Sequence, residues 1–213
     1  KDLDIFFKND KKILFIPYAR PGGISHDTDT KIAKTAFSKI NKEVKGIHTF
    51  ENPSDAIKNA KAIFIGGGNT FVLTAQLYKN NLINPLQIAV NKGTPYLGTS
   101  AGSNICGLTI KTTNDMPIVY PPSFNALAFV PFNINPHYLD PDPNSKHQGE
   151  ARATRIGEFH HYNDQKVIGL REGSWLRFEN NQLELKGKLD ARLFAKGEEA
   201  KEYAPGDMSF LLS

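Results

Sequence analysis

The sequence predicts an α/β fold, with a doubly wound, mostly parallel sheet and helices on both of its faces. Short apolar runs alternate over the first hundred residues with segments whose apolar residues recur at helical spacing. This alternation is typical of parallel strands joined by helices. The run Ala62-Ile63-Phe64-Ile65 is apolar throughout, as expected of a strand that is covered on both faces. Ligands of such sheets bind at the carboxyl ends of the strands, so we expect the functional site there.

The first half of the chain supplies most of these elements. A strand at residues 12–19 ends at the turn signal Pro21-Gly22-Gly23, and the capping residues that follow introduce a helix. His26, Asp27 and Asp29 are possible metal ligands, but helix capping explains them better, and we predict no metal site. The next predicted elements are a strand at 44–50, a helix begun by Pro53, a strand at 61–65, a helix reaching Tyr78, a helix at 82–90 and a strand ending at 98.

The second half of the chain is less regular. Residues 112–144 are rich in Pro, Asn and Asp and are predicted to form a long excursion rather than core helices. The predicted elements after it are a helix at 151–162, a strand at 166–170, a hairpin at 175–189 and closing strands at 191–194 and 208–212. No internal repeat or linker is visible, so we expect a single domain over residues 1–213.

The composition limits the partners and the compartment. The 213 residues are 39% hydrophobic and 23% charged, ordinary values for a globular chain with a sizeable core. The lysines are dispersed and the net charge is +4, so we expect no nucleic-acid partner, although this field favours an acidic substrate. A single cysteine rules out an internal disulfide and suits a cytoplasmic protein. No apolar run is long enough to cross a bilayer, so no membrane partner is expected.

The main motif is Gly98-Thr99-Ser100-Ala101-Gly102, which fits the G-x-S-x-G pattern of a nucleophile elbow. An apolar strand precedes it and a helix follows it, which would hold a strained serine hydroxyl at the end of a sheet. Small residues are needed on both sides because a larger side chain would collide with the neighbouring strand or helix. The adjacent helix N-terminus favours negative charge. Strand-to-helix turns also use Gly and Ser for turn chemistry alone, so the motif requires partners.

A second glycine-rich turn, Gly66-Gly67-Gly68-Asn69, follows the neighbouring strand. It lacks both the G-x-G-x-x-G spacing and the lysine of nucleotide-binding loops. A tight turn alone would explain its glycines. Beside an elbow, the better interpretation is a backbone that approaches a reacting carbonyl, with an amide aimed at the developing oxyanion. The Ala101 amide, which follows the serine, is the natural second donor.

A serine nucleophile requires a base, and the chain has six histidines. The sequence favours His137, which lies in the irregular excursion where Pro136 limits the freedom of its backbone. This preference is not exclusive. The other five histidines lie on early or polar segments: His26, His48, His147, His160 and His161.

A carboxylate should orient the base, and the candidates are Asp115, Asp140 and Glu172. Glu172 follows an apolar strand, at the edge where a parallel sheet presents its site. The alternative for this residue is a surface carboxylate paired with Arg171.

Together these motifs resemble peptidase E, the α-aspartyl dipeptidase family of serine peptidases, whose kin include cyanophycinase and whose fold resembles class I glutamine amidotransferases. Five runs carry the resemblance, in the family's order and with near-family spacing: residues 65–71, 98–102, 112–119, 135–137 and 169–173. Family chains start earlier, with a strand and a helix, and we expect that N-terminal strand to be missing here. Thr99 stands where family elbows often have Trp, a change expected to alter packing rather than chemistry.

The resemblance implies Ser100 as the nucleophile, His137 as general base and acid, and Glu172 as the orienting carboxylate. Asp115 is the competing acid, or a residue that binds substrate or supports the structure. The implied reaction is hydrolysis of dipeptides with an N-terminal aspartate through an acyl-enzyme, with no cofactor. The protein would be a monomer or a homodimer.

The resemblance also implies an oxyanion hole made by the amides of Gly68 and Ala101. For the aspartyl side chain of the substrate we nominate Arg152, with Arg155 behind it, because arginine can hold a carboxylate with two parallel hydrogen bonds. A solvated helix face is the alternative explanation of these arginines. Asn69 and Glu150 are weaker candidates for substrate contacts.

Two other functions stay open. One is a related hydrolase with a different acyl group, such as a cyanophycinase-like enzyme or an esterase. The other is a non-catalytic protein that binds a small molecule on the same fold. Cys106, which lies past the elbow, is expected to be a small buried hydrophobic residue rather than a nucleophile.

Overall fold

The structure, a computed structural model, describes residues 2–7, 12–141 and 149–213. His147, one of the candidate bases, lies outside the described residues. The helices are α1 (Asp2–Phe7), α2 (His26–Ser38), α3 (Pro53–Lys58), α4 (Thr70–Lys79), α5 (Ile83–Asn91), α6 (Ala101–Asn104) and α7 (Arg152–Tyr162). The strands are β1 (Lys12–Ile16), β2 (Glu43–Gly46), β3 (Ile63–Ile65), β4 (Tyr96–Gly98), β5 (Asn133–Pro136), β6 (Val167–Leu170), β7 (Ser174–Glu179), β8 (Gln182–Gly187), β9 (Ala191–Phe194), β10 (Lys201–Tyr203) and β11 (Gly206–Asp207). None of the helices in the described ranges is long and apolar enough to cross a membrane.

Four parallel strands form the sheet on which the elbow is built, in the order β2-β1-β3-β4. The chain adds β2 on one side of β1 and then β3 and β4 on the other, so the strand order reverses at β1. A second sheet has the order β10-β9-β6-β5, in which β5 and β6 are parallel. A third, antiparallel sheet has the order β11-β8-β7. The predicted fold class, α/β with a mostly parallel central sheet, is confirmed.

The side chains of β1 alternate between two apolar layers. Ile13 and Phe15 lie in a buried cluster with Phe37 of α2. Leu14 and Ile16 lie in a cluster that also contains residues of α3, α4 and α5: Ile57, Leu73, Leu77 and Leu86. Successive residues of a strand face opposite sides of the sheet, so β1 is apolar from Ile13 to Ile16 because helices cover both faces. This packing fixes the strand ends that carry the site.

Two predicted strands are wrong in part or in whole. The run at 44–50 is a strand only as far as Gly46, where the Thr49 hydroxyl donates to the Gly46 carbonyl (2.8 Å) and closes the 3-10 helix Ile47–Thr49. The run predicted as a closing strand at 208–212 is the 3-10 helix Ser209–Leu212. Its first amide donates to the Asp207 carboxylate (3.0 Å), a local bond that favours a turn over a strand.

The predicted excursion at residues 112–144 contains strand β5 and, in its described part, no helix. The sequence Asn-Ile-Asn-Pro is too polar to suggest a buried strand, yet all four residues are buried. Asn133 accepts a hydrogen bond from the Thr109 amide (2.9 Å) and donates to the Thr109 hydroxyl (2.9 Å), which satisfies its buried amide group. His137 therefore follows a strand in a sheet, and not the irregular segment that the sequence predicts.

Candidate active site

Ser100 occupies a strained turn between β4 and α6. Its backbone has φ 53° and ψ −112°, and a positive φ is disfavoured for a residue that carries a Cβ. The Thr99 amide donates to the Ile65 carbonyl (3.1 Å), so the turn starts directly from the ladder between β3 and β4. The Ser100 hydroxyl has no hydrogen-bond partner among the described residues. The turn thus holds a free hydroxyl at the carboxyl edge of the parallel sheet.

The two glycines of the elbow are required by close backbone contacts. A Cβ at Gly98 would lie 2.3 Å from the carbonyl oxygen of Gly102. A Cβ at Gly102 would lie 2.1 Å from the carbonyl oxygen of Ile65. Both distances are far below van der Waals contact, so α6 can pack this closely on β3 and β4 only with glycine at these positions. This is the physical reason for the G-x-S-x-G spacing.

The glycine-rich loop after β3 lies against Ser100. A Cβ at Gly67 would be 3.0 Å from the Ser100 Cβ. Gly68 has φ 145° and packs on the Ala19 carbonyl, which also accepts a hydrogen bond from the Asn69 amide (2.6 Å). The amides of Gly68 and Ala101 make no hydrogen bond within the described residues. Two free backbone donors therefore flank the serine.

His137 and Glu172 come together beyond the ends of two parallel strands. β5 and β6 pair in register, with Pro136 opposite Leu170, so the residues that follow leave the sheet side by side. The Glu172 carboxylate forms a hydrogen bond with Nδ1 of His137, and the two side chains are 73% and 51% exposed. This bond leaves Nε2 free for another partner. No hydrogen bond joins His137 to Ser100 in the described part of the chain, and that contact stays a prediction.

Asp115 lies elsewhere, at the N-terminus of α4. Its carboxylate accepts a hydrogen bond from the Thr70 amide (2.7 Å) and another from the Thr113 hydroxyl (3.2 Å). Asn104, on the helix that follows Ser100, donates to the hydroxyls of Thr70 (3.1 Å) and Thr113 (3.3 Å). The carboxylate therefore satisfies a free helix amide and belongs to a polar network that ties α4 to α6.

Residues 112–116 connect the two halves of the site, a role that sequence reasoning missed. At one end of the segment Asp115 binds α4. At the other, Asn114 donates to the Pro136 carbonyl (2.9 Å), and Asn135 donates to the Thr112 carbonyl (2.7 Å). These bonds end one residue before His137. The run Thr-Thr-Asn-Asp was the available signal, because these residue types form side-chain bonds to backbone.

Asp140 and Arg171 pair with each other. The guanidinium of Arg171 donates to Asp140 at 2.8 and 2.7 Å. This bond holds the pKa of the Asp140 carboxyl below its ordinary value. Arg171 makes no ion pair with Glu172 among the described contacts, so Asp140 is occupied and Glu172 is available to His137.

Arg152, at the start of α7, is a partly buried cation with no close partner among the described residues. It makes no hydrogen bond or ion pair with any other described residue. Burial and the charge of Arg155 lower the pKa of its guanidinium, and the nearby charge of Asp115 opposes them. Arg155 itself lies 3.9 Å from the Glu150 carboxylate. Arg152 is thus the arginine with free donors near the 112–116 segment.

The other predicted residues have other partners. The Asn69 side chain accepts from the Val72 amide (3.0 Å) and donates to the Met116 carbonyl (2.8 Å), which caps α4. Burial raises the pKa of the Cys106 thiol to about 12, so it would carry little thiolate at neutral pH. The described residues contain no group of three or more His, Cys, Asp and Glu side chains that could hold a metal.

Three of the remaining histidines make contacts that do not involve Ser100. His160 bonds the Gln165 carbonyl (3.1 Å) and His48 bonds Asp27 (2.9 Å). His26 stacks obliquely between Tyr18 and His48. His137 is therefore the histidine of the described chain that is held by a carboxylate at the edge of β5 and β6.

The fold and the strained serine define the class of this protein, a hydrolytic α/β enzyme with a nucleophile elbow. The sequence model of peptidase family S51 matches residues 1–186. Peptidase E of Streptomyces coelicolor is 48% identical over 202 residues, which cover 94% of this chain and 82% of that protein. A Drosophila melanogaster protein named "Probable alpha-aspartyl dipeptidase" is 46% identical over 214 residues, with 99% and 88% of the two chains covered. The chain belongs to peptidase family S51, which confirms the resemblance.

A solved structure supports the same fold. The crystal structure of a peptidase from an acI-B1 actinobacterium superposes with a TM-score of 0.63 at 17% identity, over 91% of this chain and 80% of that chain. At this identity the match concerns the fold alone. It agrees with the doubly wound arrangement that the strand order defines.

Proposed function

We propose that the protein is a serine-type dipeptidase that hydrolyses dipeptides with an N-terminal aspartate. Membership of a peptidase family and the relatives named peptidase E and alpha-aspartyl dipeptidase support this activity. The observation that carries it is the backbone of Ser100, whose positive φ presents a hydroxyl that, like the amides of Gly68 and Ala101, has no hydrogen-bond partner among the described residues. Strain of this kind persists where a site requires it.

The catalytic steps follow from the residues around Ser100. The hydroxyl attacks the carbonyl carbon of the substrate's peptide bond while His137 takes its proton. The amides of Gly68 and Ala101 donate to the oxyanion that develops. His137 then gives the proton to the leaving amino group, which leaves an aspartyl ester on the serine. Water, activated by the same imidazole, releases aspartate and restores the hydroxyl. Glu172 holds Nδ1 of the ring throughout.

The arrangement of α6 and β5 supports the pairing of Ser100 with His137. The helix packs against the strand, and the turn after it brings Gly107 against Phe132 and Asn133, where β5 begins. The start of α6 therefore lies toward the other end of β5, where His137 is. Catalytic hydrogen bonds are often long before substrate binds and shorten in the reacting complex.

Arg152 supplies specificity for the aspartyl side chain in this proposal. Its guanidinium is partly buried, bonds to no other described residue and lies near Asp115. A desolvated arginine without a carboxylate is costly, and the substrate side chain would provide that carboxylate with two parallel hydrogen bonds. Asn69 and Asp115 complete the proposed substrate-binding region, both through the N-terminus of α4 that they hold in place.

The remaining parts of the proposal rest on the composition and the folding pattern. We expect one domain, a cytoplasmic monomer or homodimer, and a small acidic dipeptide as the partner. Neither a cofactor nor a nucleic acid is required by the proposed steps.

The direct test compares wild type, Ser100→Ala and Cys106→Ala on Asp-Leu and on a fluorophosphonate probe. We expect Ser100→Ala to lose hydrolysis by a factor of about 10⁴ or more and to lose labelling. Cys106→Ala should keep both, since its thiol lies off the reaction path. Labelling that survives in Ser100→Ala would refute the assignment of the nucleophile. Hydrolysis of β-Asp-Leu or of simple esters in preference to Asp-Leu would refute the substrate class.

A second test separates the two candidate acids. We expect Glu172→Gln to lower kcat by about tenfold or more, because the neutral amide stabilises the imidazolium less, with little change in the free energy of unfolding. Asp115→Ala should instead lower that free energy by about 1 kcal/mol, the usual cost of losing a side chain that accepts a hydrogen bond from a helix N-terminal amide. The reverse pattern would make Asp115 the orienting acid.

A third test addresses specificity. Arg152→Ala should raise KM for Asp-Leu by about 10² or more, the value of a charge-assisted bidentate contact. The same change should leave the slow hydrolysis of Ala-Leu almost unaltered. Arg155→Ala is the matched control, an arginine on the same helix that is already paired with Glu150. An unchanged preference for Asp over Ala in Arg152→Ala would contradict the assignment.

A further inference from the structure

We propose that Arg171 is a positioning residue for the His137–Glu172 pair, acting as a clamp between the ends of β5 and β6. The inference rests on the proposed function, because it assigns to those two side chains the roles given above. Arg171 directly precedes Glu172, and its partner Asp140 lies three residues after His137. One guanidinium therefore joins the two short segments that carry the pair.

All five N–H groups of Arg171 are used. Nε and Nη2 donate to the two oxygens of Asp140 at 2.8 and 2.7 Å. Nη1 and Nη2 donate to the two oxygens of Glu202 at 2.8 and 3.0 Å, and Nη1 donates to the Asp190 carbonyl at 2.7 Å. Only the planar fork of an arginine can hold two carboxylates in this manner. Lysine keeps the charge and loses the geometry.

The arginine of the clamp is largely buried, unlike the His137–Glu172 pair that it supports. The Arg171 side chain is 16% exposed and packs over the ring of Tyr138, 5.5 Å from its centroid. Hydrogen bonds to both carboxylates raise the pKa of the guanidinium, and the bond to Arg171 lowers the pKa of Asp140. Arg171 and Asp140 therefore each stabilise the charged form of the other throughout the neutral pH range.

The exposure of His137 and Glu172 explains why a clamp is needed. Both side chains are more than half exposed, and ion pairs in such settings are weak and pay side-chain entropy. Their alignment must come from the backbone. Beyond the last residue pair of β5 and β6, the Tyr138 amide donates to the Leu170 carbonyl (2.9 Å). The next described hydrogen bonds between the two segments are those from Arg171 to Asp140.

A neighbouring arginine provides an internal comparison. Arg192 approaches the same two acids, Asp140 and Glu202, at 3.6 Å each. At that distance it acts as a point charge, which a lysine can replace. Both arginines lie near the same two carboxylates, but only Arg171 makes paired hydrogen bonds to them. Comparing their lysine variants therefore separates the effect of hydrogen-bond geometry from the effect of charge.

The test compares Arg171→Lys with Arg192→Lys and with Ile168→Val, a change in the buried core of β6. For Arg171→Lys we expect kcat on Asp-Leu to fall by about tenfold, as for a small misplacement of catalytic groups, with KM within about twofold. We also expect the downfield proton signal of His137 Nδ1, assigned with His137→Ala, to broaden or disappear. Arg192→Lys should keep the wild-type kcat and signal. Ile168→Val should lower the thermal midpoint while keeping the wild-type kcat and the His137 signal. It therefore shows whether a loss of stability alone changes either of them.

Each outcome decides the matter. If Arg171→Lys does not fold, Asp140→Asn replaces it, with a fall in kcat and a weaker His137 signal expected. A wild-type kcat and signal in these variants would overturn the clamp while leaving the proposed function intact. Equal losses in Ile168→Val would also overturn it, because they would show general destabilisation. A wild-type enzyme without Asp-Leu hydrolysis would reject the proposed function, and the proton signal would still report whether Arg171 positions His137.

Discussion

Substitution of Gly102 by alanine tests the physical basis of the elbow. The added Cβ would lie 2.1 Å from the Ile65 carbonyl oxygen, so α6 would have to move away from β3 by about 1 Å to restore ordinary contact. Ser100 begins this helix and would move with it, away from Gly67 and the Gly68 amide. A misplacement of about 1 Å costs catalysis about 10²-fold, and overpacking costs about 1–3 kcal/mol of stability.

The assay for Gly102→Ala is kcat/KM on Asp-Leu together with urea unfolding. Gly157→Ala is the matched control, because Gly157 lies inside α7 and a Cβ there meets nothing within 4 Å. It should keep full activity and gain up to about 1 kcal/mol from helix propensity. Gly102→Ala with the activity and stability of wild type would refute the argument that close packing on β3 dictates this glycine.

Three further predictions concern ionisation and packing. With its pKa raised from 9.0 to about 12, Cys106 should react with iodoacetamide at pH 8 at least about 100-fold more slowly than in urea-unfolded protein, as mass spectrometry can measure; equal rates would contradict the burial. Because Arg171 lowers the pKa of Asp140 below its ordinary 3.8 in the folded state, this carboxylate contributes stability above about pH 4 that is lost as the pH falls further. The difference in unfolding free energy between wild type and Asp140→Asn should therefore shrink on acidification, and a constant difference would refute the charge effect. Gly169→Ala would place a Cβ 2.7 Å from the Tyr138 ring, and we expect it to lower the thermal midpoint, whereas an unchanged midpoint would show that the ring can move freely.

The parts of the site that the sequence predicts are those set by local backbone requirements. The elbow could be predicted because backbone oxygens lie about 2 Å from where a Cβ would stand at Gly98 and Gly102. Only glycine, which has no Cβ, fits at these two positions. The alternation of apolar strands and helices likewise reflects the two covered faces of β1. Both features depend on neighbours in sequence or on the regular period of an element.

Contacts between distant segments could not be predicted. β5 could not be predicted because asparagines are typical of loops. The buried side chain of Asn133 is accommodated by hydrogen bonds with Thr109, which lies 24 residues away in the sequence. The sequence pairs Arg171 with its neighbour Glu172 as one alternative, whereas the structure pairs it with Asp140 and Glu202, each 31 positions distant. The residue type of Asp115 suggests a bond to backbone, but it does not identify the N-terminus of α4 as the partner. The partners of polar side chains depend on how the folded segments are placed in three dimensions, and the spacing of residues in the sequence does not specify this.

The backbone of Ser100 has a consequence for engineering this enzyme. Its angles, φ 53° and ψ −112°, are close to the mirror image of an extended conformation, which glycine adopts without penalty. Ser100→Gly should thus unfold at higher urea concentration than wild type while being inactive. A screen that selects only for thermal resistance would therefore select against the nucleophile, so stabilising changes are better sought at exposed positions such as Gly157, where an added Cβ meets nothing within 4 Å.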